Sequence, residues 1–237
     1  MSTSTAVITG GTRGLGHAVA LALAARGWHL VIDGRDGDVL ERAAHDLRSA
    51  GGTVDAIGGN VADPQHRAEL ADAVTRRGGA LDLLVNNAST LGPTPLGALA
   101  HYRLTDLVGV YDVNTFAPLA LLQSLRPALE RGAGVVVNVS SDAAVEPYET
   151  WGAYGSSKAA LDQLTAIFGA ENPGLHVYAL DPGDMATDLQ QRAFPGEDIS
   201  DRADPASIVP AVLTLAAGGL PSGRYRAADV EPAAGIR

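Results

Sequence analysis

A chain of 237 residues allows one large domain or two small ones, and 46% apolar with 19% charged side chains is the composition of a folded globular protein. The absence of cysteine excludes a disulfide framework, a thiolate nucleophile, a cysteine-bound zinc and an iron–sulfur cluster, and 27 acidic against 17 basic side chains, net -10, argue against nucleic-acid binding over a broad surface. The longest apolar runs, 18–25 and 132–137, fall well short of the roughly 20 residues that cross a bilayer, and the uncharged Ser/Thr start has no basic signal-like segment, so no membrane association and a cytoplasmic location are expected.

Short β-branched runs alternate with longer segments of helical period, a pattern that predicts a doubly wound parallel α/β sheet with helices on both faces. In chain order the strands are expected at 6–9, 29–33, 54–58, 81–86, 134–140 and 175–180, with a short seventh at 224–227. The helices are expected at 14–26, 38–50, 64–77, 99–130, 151–171 and 205–217. Asp63-Pro64 and Asp204-Pro205 each set a capping carboxylate before a proline, whose missing N–H costs nothing in a first helical turn. No repeat, low-complexity tract or linker divides the chain, so a single domain over 1–237 is expected, with 228–237 as a C-terminal tail.

The first strand runs into Thr9-Gly10-Gly11-Thr12-Arg13-Gly14-Leu15-Gly16 and then into an Ala/Leu-rich helix. Glycines permit a tight turn and let backbone N–H groups at the helix start reach a phosphate with no side chain between. The general G-x-G-x-x-G pattern is not met, because its third glycine falls on Val19. The spacing is T-G-x-x-x-G-x-G, which resembles the short-chain dehydrogenase/reductase family. The resemblance covers about residues 5–227 and implies a Rossmann-type fold and hydride transfer between a nicotinamide cofactor and a small-molecule carbonyl or alcohol. It assigns Gly10, Thr12, Arg13, Gly14, Leu15 and Gly16 to the cofactor.

At the end of the second strand, in Val31-Ile32-Asp33-Gly34-Arg35, a carboxylate would accept from a ribose 2′-hydroxyl and repel a 2′-phosphate. By the resemblance, Gly34 stands where NAD-specific members carry an aspartate. Arg35 and Arg13 would then clamp a 2′-phosphate through their planar forks, so NADP(H) is preferred. NAD(H) stays possible, since a one-residue slip would make Asp33 the ribose acceptor. Asn60-Val61-Ala62-Asp63 resembles the family's adenine-contacting D-x-x-D, with Asn60 and Val61 at the cofactor and Asp63 also suited to a helix cap. Asn86-Asn87-Ala88 resembles the family's N-N-A-G, with Ser89 replacing the glycine and Asn87 beside the cofactor. Asp181-Pro182-Gly183-Asp184-Met185-Ala186-Thr187 is similar to P-G-x-x-x-T, which implies cofactor contacts from Pro182, Gly183, Met185 and Thr187.

Tyr154 and Lys158 stand one helical turn apart, and Ser141 lies thirteen residues before Tyr154 at the end of the fifth strand. A lone Y-x-x-x-K is weak, but this Ser-Tyr-Lys spacing resembles the short-chain reductases closely. A phenol of ordinary pKa about 10 is a poor acid–base catalyst near neutrality, so Lys158, together with the positive charge of oxidised nicotinamide, is expected to lower the pKa of Tyr154. The resemblance also gives Lys158 and Tyr154 contacts to the cofactor, and Ser141 a hydrogen bond to the substrate oxygen. Asn114 completes the catalytic set. Pro118, four residues on, has no N–H for the Asn114 carbonyl, so a kink is expected there, and the resemblance implies a water on that carbonyl.

Segments 142–151, 90–96 and 188–202 are expected to wall the substrate pocket, where Glu146, Tyr148, Glu149 and Trp151 suit a neutral or cationic substrate. The six histidines show no metal-ligand spacing. Leu119, Leu121, Leu122 and Leu125, with Leu161, Leu164, Ile167 and Phe168, make two helices apolar over much of their circumference, and the resemblance implies a homodimer or homotetramer built on them. A catalytically silent NADP(H)-binding sensor or scaffold, and a lyase or isomerase on the same fold, are the competing readings.

Overall fold

Seven parallel strands form one sheet in the computed structural model, which describes residues 3–231. They are β1 Thr5–Ile8, β2 His29–Gly34, β3 Thr53–Gly58, β4 Leu83–Asn86, β5 Val135–Val139, β6 His176–Asp181 and β7 Gly223–Arg226, in the order β3-β2-β1-β4-β5-β6-β7. The eight α-helices are α1 Gly14–Ala24, α2 Gly37–Ser49, α3 Pro64–Arg76, α4 Leu104–Tyr111, α5 Ala117–Gly132, α6 Gly152–Glu171, α7 Asp188–Ala193 and α8 Val209–Ala216.

Strand alternation sorts the core into two layers. Ile8, Ile32, Val85 and Val137 face one side with Leu23 and Leu47 of the α1 and α2 layer and Val212 of α8, while Val7, Val31, Leu84 and Val136 face the other with Leu70, Leu125 and Phe168 of α3, α5 and α6. β1 pairs with both β2 and β4, so crossovers run one way from β1 to β3 and the other way from β4 to β7. A doubly wound sheet opens a crevice at the carboxyl ends of the strands where that direction changes.

The caps form as the sequence suggests: Asp36 accepts from the N–H groups of Asp38 and Val39 at the start of α2, and Asp63 accepts from Gln65 at 2.9 Å ahead of Pro64. Two long predicted helices are broken instead. The segment 99–130 consists of a 3-10 turn Leu99–His101, α4, a π-turn Asp112–Phe116 and α5. Since Pro118 offers no N–H, the turn widens and Ala117 N–H bonds Asp112 O five residues back. The segment 205–217 divides differently: a tighter 3-10 turn Pro205–Ile208, closed by Val209 N–H on Ala206 O, precedes α8, which has Pro210 in its first turn. α7 was not expected; Thr187 starts it by accepting from Gln190 N–H at 3.3 Å. The expected tail is partly core, because Ala227–Asp229 forms a 3-10 turn and Val230 is buried beneath the α1 and α8 layer; residues 232–237 lie outside the described residues. Among the described residues no helix is long and apolar enough to cross a membrane.

Candidate active site

The carboxyl ends of the central strands open onto a cleft of about 1410 Å³. Every predicted site residue lines it except Gly16 and Asn114. The glycine loop between β1 and α1 turns through left-handed backbone at Gly10 (φ 63°) and Gly14 (φ 53°), which glycine adopts without steric cost. Gly16 is a close-approach position: a Cβ there would stand 2.5 Å from Asn87 Nδ2. Asn87 in turn donates to Thr9 O (2.9 Å) and Gly10 O (3.1 Å), so its amide braces the loop from the cleft wall. Arg13, the residue before α1, makes no side-chain cap, and the first turn has no acidic residue. The leading N–H groups of α1 are therefore without a side-chain acceptor, a fit for a dinucleotide phosphate.

Asp33, the ribose acceptor under a one-residue slip, is committed to partners within the protein. It is 2% exposed and both oxygens are engaged inside the protein: one accepts from Gly10 N–H at 2.6 Å and the other meets His66 Nε2 at 3.0 Å. A side chain at Gly34 would have to displace the Thr12 methyl, since a Cβ would lie 2.5 Å from Thr12 Cγ2. Arg35 is exposed at the cleft edge, and Arg13 pairs with Asp188 of α7 at 2.7 Å, tying the glycine loop to the segment across the cleft. Asn60 turns its amide oxygen to Ala62 N–H at 3.1 Å while Val61 is buried beside it.

Tyr154 and Lys158 occupy successive turns at the start of α6. Tyr154 is 7% exposed and Lys158 2%; Lys158 Nζ donates to Val139 O at 2.7 Å and lies 5.6 Å from the centre of the Tyr154 ring. The expectation that Lys158 lowers the phenol pKa does not hold among the protein's own groups. Burial pushes Tyr154 up to about 12, with Asp142 and Asp181 adding to the rise and the Ser89 and Ser141 hydroxyls opposing it. The same burial pushes Lys158 down to about 8 against the pull of Asp162. Low dielectric disfavours both charged forms, and the ammonium is aimed at a carbonyl instead of the phenol oxygen.

Ser141, two residues after β5, caps a short 3-10 turn, Asp142–Ala144; its Oγ accepts from Ala143 N–H at 3.1 Å and donates to Asp142 at 3.0 Å. Asp142 also accepts from the Tyr148 hydroxyl at 2.8 Å. Asn114, in the π-turn, is wholly buried. Its amide oxygen accepts from Thr90 N–H (2.8 Å) and the Ser89 hydroxyl (3.2 Å), and its amide nitrogen donates to Thr90 O (2.9 Å) and Ser157 Oγ (3.0 Å). That side chain joins the loop after β4 to α6 behind the cleft. On the far wall, Asp181 accepts from Gly183 N–H at 3.0 Å across the Pro182 turn, Met185 bridges to Ala203, and the Thr187 methyl lies against Gly14.

Around the substrate end the cleft is lined by Thr90, Gly92, Pro93, Asp142, Tyr148, Glu149, Trp151 and Phe194. Glu146 does not line it. Trp151 packs edge-on to Tyr154 (5.6 Å between centroids) and against Phe194 (5.9 Å). Phe194, just after α7, falls within the expected wall segment 188–202, whereas Thr105, Asp106 and Val110 of α4 were missed as wall residues, because their helix was merged into a longer one. Leu121, Leu122, Leu125, Leu161 and Phe168 are buried within the chain, whereas Leu104, Val108, Phe116 and Ile167 are exposed.

A family model described as short chain dehydrogenase matches residues 4–198. An uncharacterized oxidoreductase of Mycobacterium tuberculosis (strain CDC 1551 / Oshkosh) is 34% identical over 185 residues, 77% of this chain and 69% of that protein. The 7alpha-hydroxysteroid dehydrogenase of Escherichia coli (strain K12) is 28% identical over 222 residues, 89% of this chain and 86% of that protein. Among solved structures, an alcohol dehydrogenase from the archaeon Thermococcus sibiricus complexed with 5-hydroxy-NADP superposes with a TM-score of 0.85 at 28% identity, covering 94% of this chain and 95% of that one.

Proposed function

The chain belongs to the short-chain dehydrogenase family and is an NAD(P)-dependent oxidoreductase, and on that footing we propose that it reduces a small-molecule carbonyl with NADPH, or oxidises the matching alcohol, with Tyr154 as the acid–base group. The observation that carries this reading is the meeting of Tyr154, Lys158 and Ser141 with the glycine loop on one cleft. When bound, the reduced nicotinamide supplies the hydride. The chain's own part is the proton and the orientation of the substrate.

Tyr154 Oη gives its proton to the substrate oxygen as charge develops there, and Ser141 Oγ holds that oxygen in place. Lys158, anchored on Val139 O, fixes the helix turn next to the phenol. Asn114 acts from behind, locking the Ser89–Thr90 segment to Ser157. The α1 N-terminus with Gly14, Leu15 and Gly16 would hold the pyrophosphate, Asn60 and Val61 the adenine side, and Met185 and Thr187 the nicotinamide side.

Preference for NADP(H) rests on three features at the end of β2: a spent Asp33, a Gly34 whose Cβ would press on the Thr12 methyl, and the exposed Arg35 guanidinium. With Asp33 engaged by Gly10 and His66, Asp36 capping α2, and a guanidinium fork present, a 2′-phosphate is favoured over a bare ribose. Exposed Leu104, Val108, Phe116 and Ile167 support a homodimer or homotetramer, in which a second copy would cover them.

NADPH oxidation against a panel of carbonyl compounds tests the reading. Tyr154→Phe is expected to lower kcat by about 100-fold to 10,000-fold while NADPH still binds. A Tyr154→Phe enzyme turning over at the native rate would end it.

A further inference from the structure

We infer that Arg224, on the last strand of the sheet, is a positioning residue for the reaction: one guanidinium holds together the three segments that carry the catalytic groups. Its Nη2 donates to the backbone carbonyl of Ser141 at 3.0 Å and to Asp181 Oδ2 at 3.1 Å, and its Nε donates to Asp162 Oδ2 at 2.9 Å. Ser141 follows β5 by two residues. Asp181 ends β6, and its other oxygen fixes Gly183 N–H at the cleft wall. Asp162 lies one turn beyond Lys158 on α6. β7 reaches all three because it borders β6 with Arg224 paired to Ala179.

The charges reinforce the geometry. The Asp162 and Asp181 side chains are 14% and 4% exposed, and Arg224 is 27% exposed. A carboxylate this buried is costly without a cation, and two of them share this one. The ionisable groups facing the Tyr154–Lys158 pair are Asp142 from the turn after β5, Asp181 from β6 and Asp162 from α6. Arg224 neutralises the latter two without contacting Tyr154 or Lys158. Its fork also fixes where the Ser141 backbone, and so the Ser141 hydroxyl, stands.

The inference rests on Tyr154 as the acid–base group, and its test separates the two. In Arg224→Gln the Asp162 and Asp181 carboxylates lose their cation, so the phenolate is disfavoured further. The acid limb of the pH profile for alcohol oxidation is then expected to move up by about half a pH unit or more, with kcat reduced at least about tenfold and the KM for NADP changed far less. Arg224→Lys keeps the charge and loses the fork, so its limb stays near the native pH while kcat still falls. Thermal unfolding and NADPH titration of each variant give the folded fraction, and Asp181→Asn, which removes a carboxylate, is expected to move the limb down should Arg224→Gln fail to fold. Unchanged limbs in the Gln and Asn variants, or Lys and Gln variants with the same displaced limb, overturn the inference while Tyr154→Phe remains inactive. An active Tyr154→Phe overturns both it and the reading beneath it.

Discussion

Asp33 offers a sharp test of how the cofactor end is built. The carboxylate is buried between β2, the glycine loop and α3, accepting from Gly10 N–H at 2.6 Å and meeting His66 Nε2 at 3.0 Å. Asp33→Ala leaves both donors buried and unpaired. A hydrogen bond to a charged group is worth about 1.5–3 kcal/mol and an orphaned buried donor costs about 1–3 kcal/mol, so a loss of about 3–5 kcal/mol is expected. That is a large part of an ordinary domain's total of about 5–15 kcal/mol. Asp33→Asn behaves differently: its amide oxygen still accepts from Gly10, and its amide nitrogen can donate to His66 Nε2 once the ring takes the other tautomer. Its cost is about 1–2 kcal/mol.

Urea unfolding measures these losses, and fluorescence titration with NADPH and NADH measures what they mean for the cofactor. Since the carboxylate is spent inside the protein, Asp33→Asn is expected to leave the ratio of the two dissociation constants within about threefold, under 1 kcal/mol. A tenfold swing towards NADPH, about 1.4 kcal/mol, would mean that the carboxylate faces the ribose, and the placement of Asp33 would be wrong. Native stability in Asp33→Ala would refute the hydrogen-bonding argument independently.

Arg35→Ala is expected to weaken NADPH binding by about 10-fold to 100-fold and to leave NADH nearly unaffected, because only the 2′-phosphate needs the guanidinium fork; an equal loss for both cofactors in the same titration would contradict this. The buried pair predicts a pH signature in the cofactor-free protein. With Lys158 held down at about 8 and ordinary lysine near 10.4, the unfolded chain binds an extra proton above about pH 8, so stability from this group rises with pH up to about 10. With Tyr154 pushed up to about 12, the folded chain keeps a proton that the unfolded one loses above about pH 10, and stability falls. Lys158→Met should remove the rising part of a Tm–pH curve, and a variant that tracks the native curve between those values would rule out the buried neutral amine.

The parallel sheet was readable because its central strands are covered on both faces and so stand out as uninterrupted apolar runs; Val135–Val139 is wholly buried and was placed within a residue or two. The glycine loop, Ser141, Tyr154 and Lys158 were singled out by a spacing that resembles the short-chain family, and the structure brings them to one cleft. What escaped depends on contacts between distant segments. Periodicity carries one helix across 99–130, but Pro118 and the packing of Asn114 onto Ser157 break it into a π-turn. His66 gave no sign that it would complete Asp33, 33 residues earlier. Arg224 sits in a short edge strand of weak pattern, and its partners lie 43 to 83 residues away. Sequence spacing places Lys158 near the phenol but says nothing of the burial that raises Tyr154 in the cofactor-free protein.

That burial also explains why individual charges carry such weight here. Two charges about 4 Å apart interact by about 1 kcal/mol in water but about 4 kcal/mol at an effective dielectric constant of about 20. In such surroundings Tyr154 is held in its proton-donating form, which is the form that carbonyl reduction requires, and Asp142 and Asp181 push it the same way. Lys158 opposes them as an ammonium, although burial lowers its pKa to about 8, so it loses its charge more readily than an ordinary lysine. A guanidinium cannot escape by losing its proton. Arg224 is therefore the positive charge that stays fixed beside Asp162 and Asp181 whatever the protonation state of Lys158, which is why removing it should register at Tyr154 as well as in the placement of Ser141.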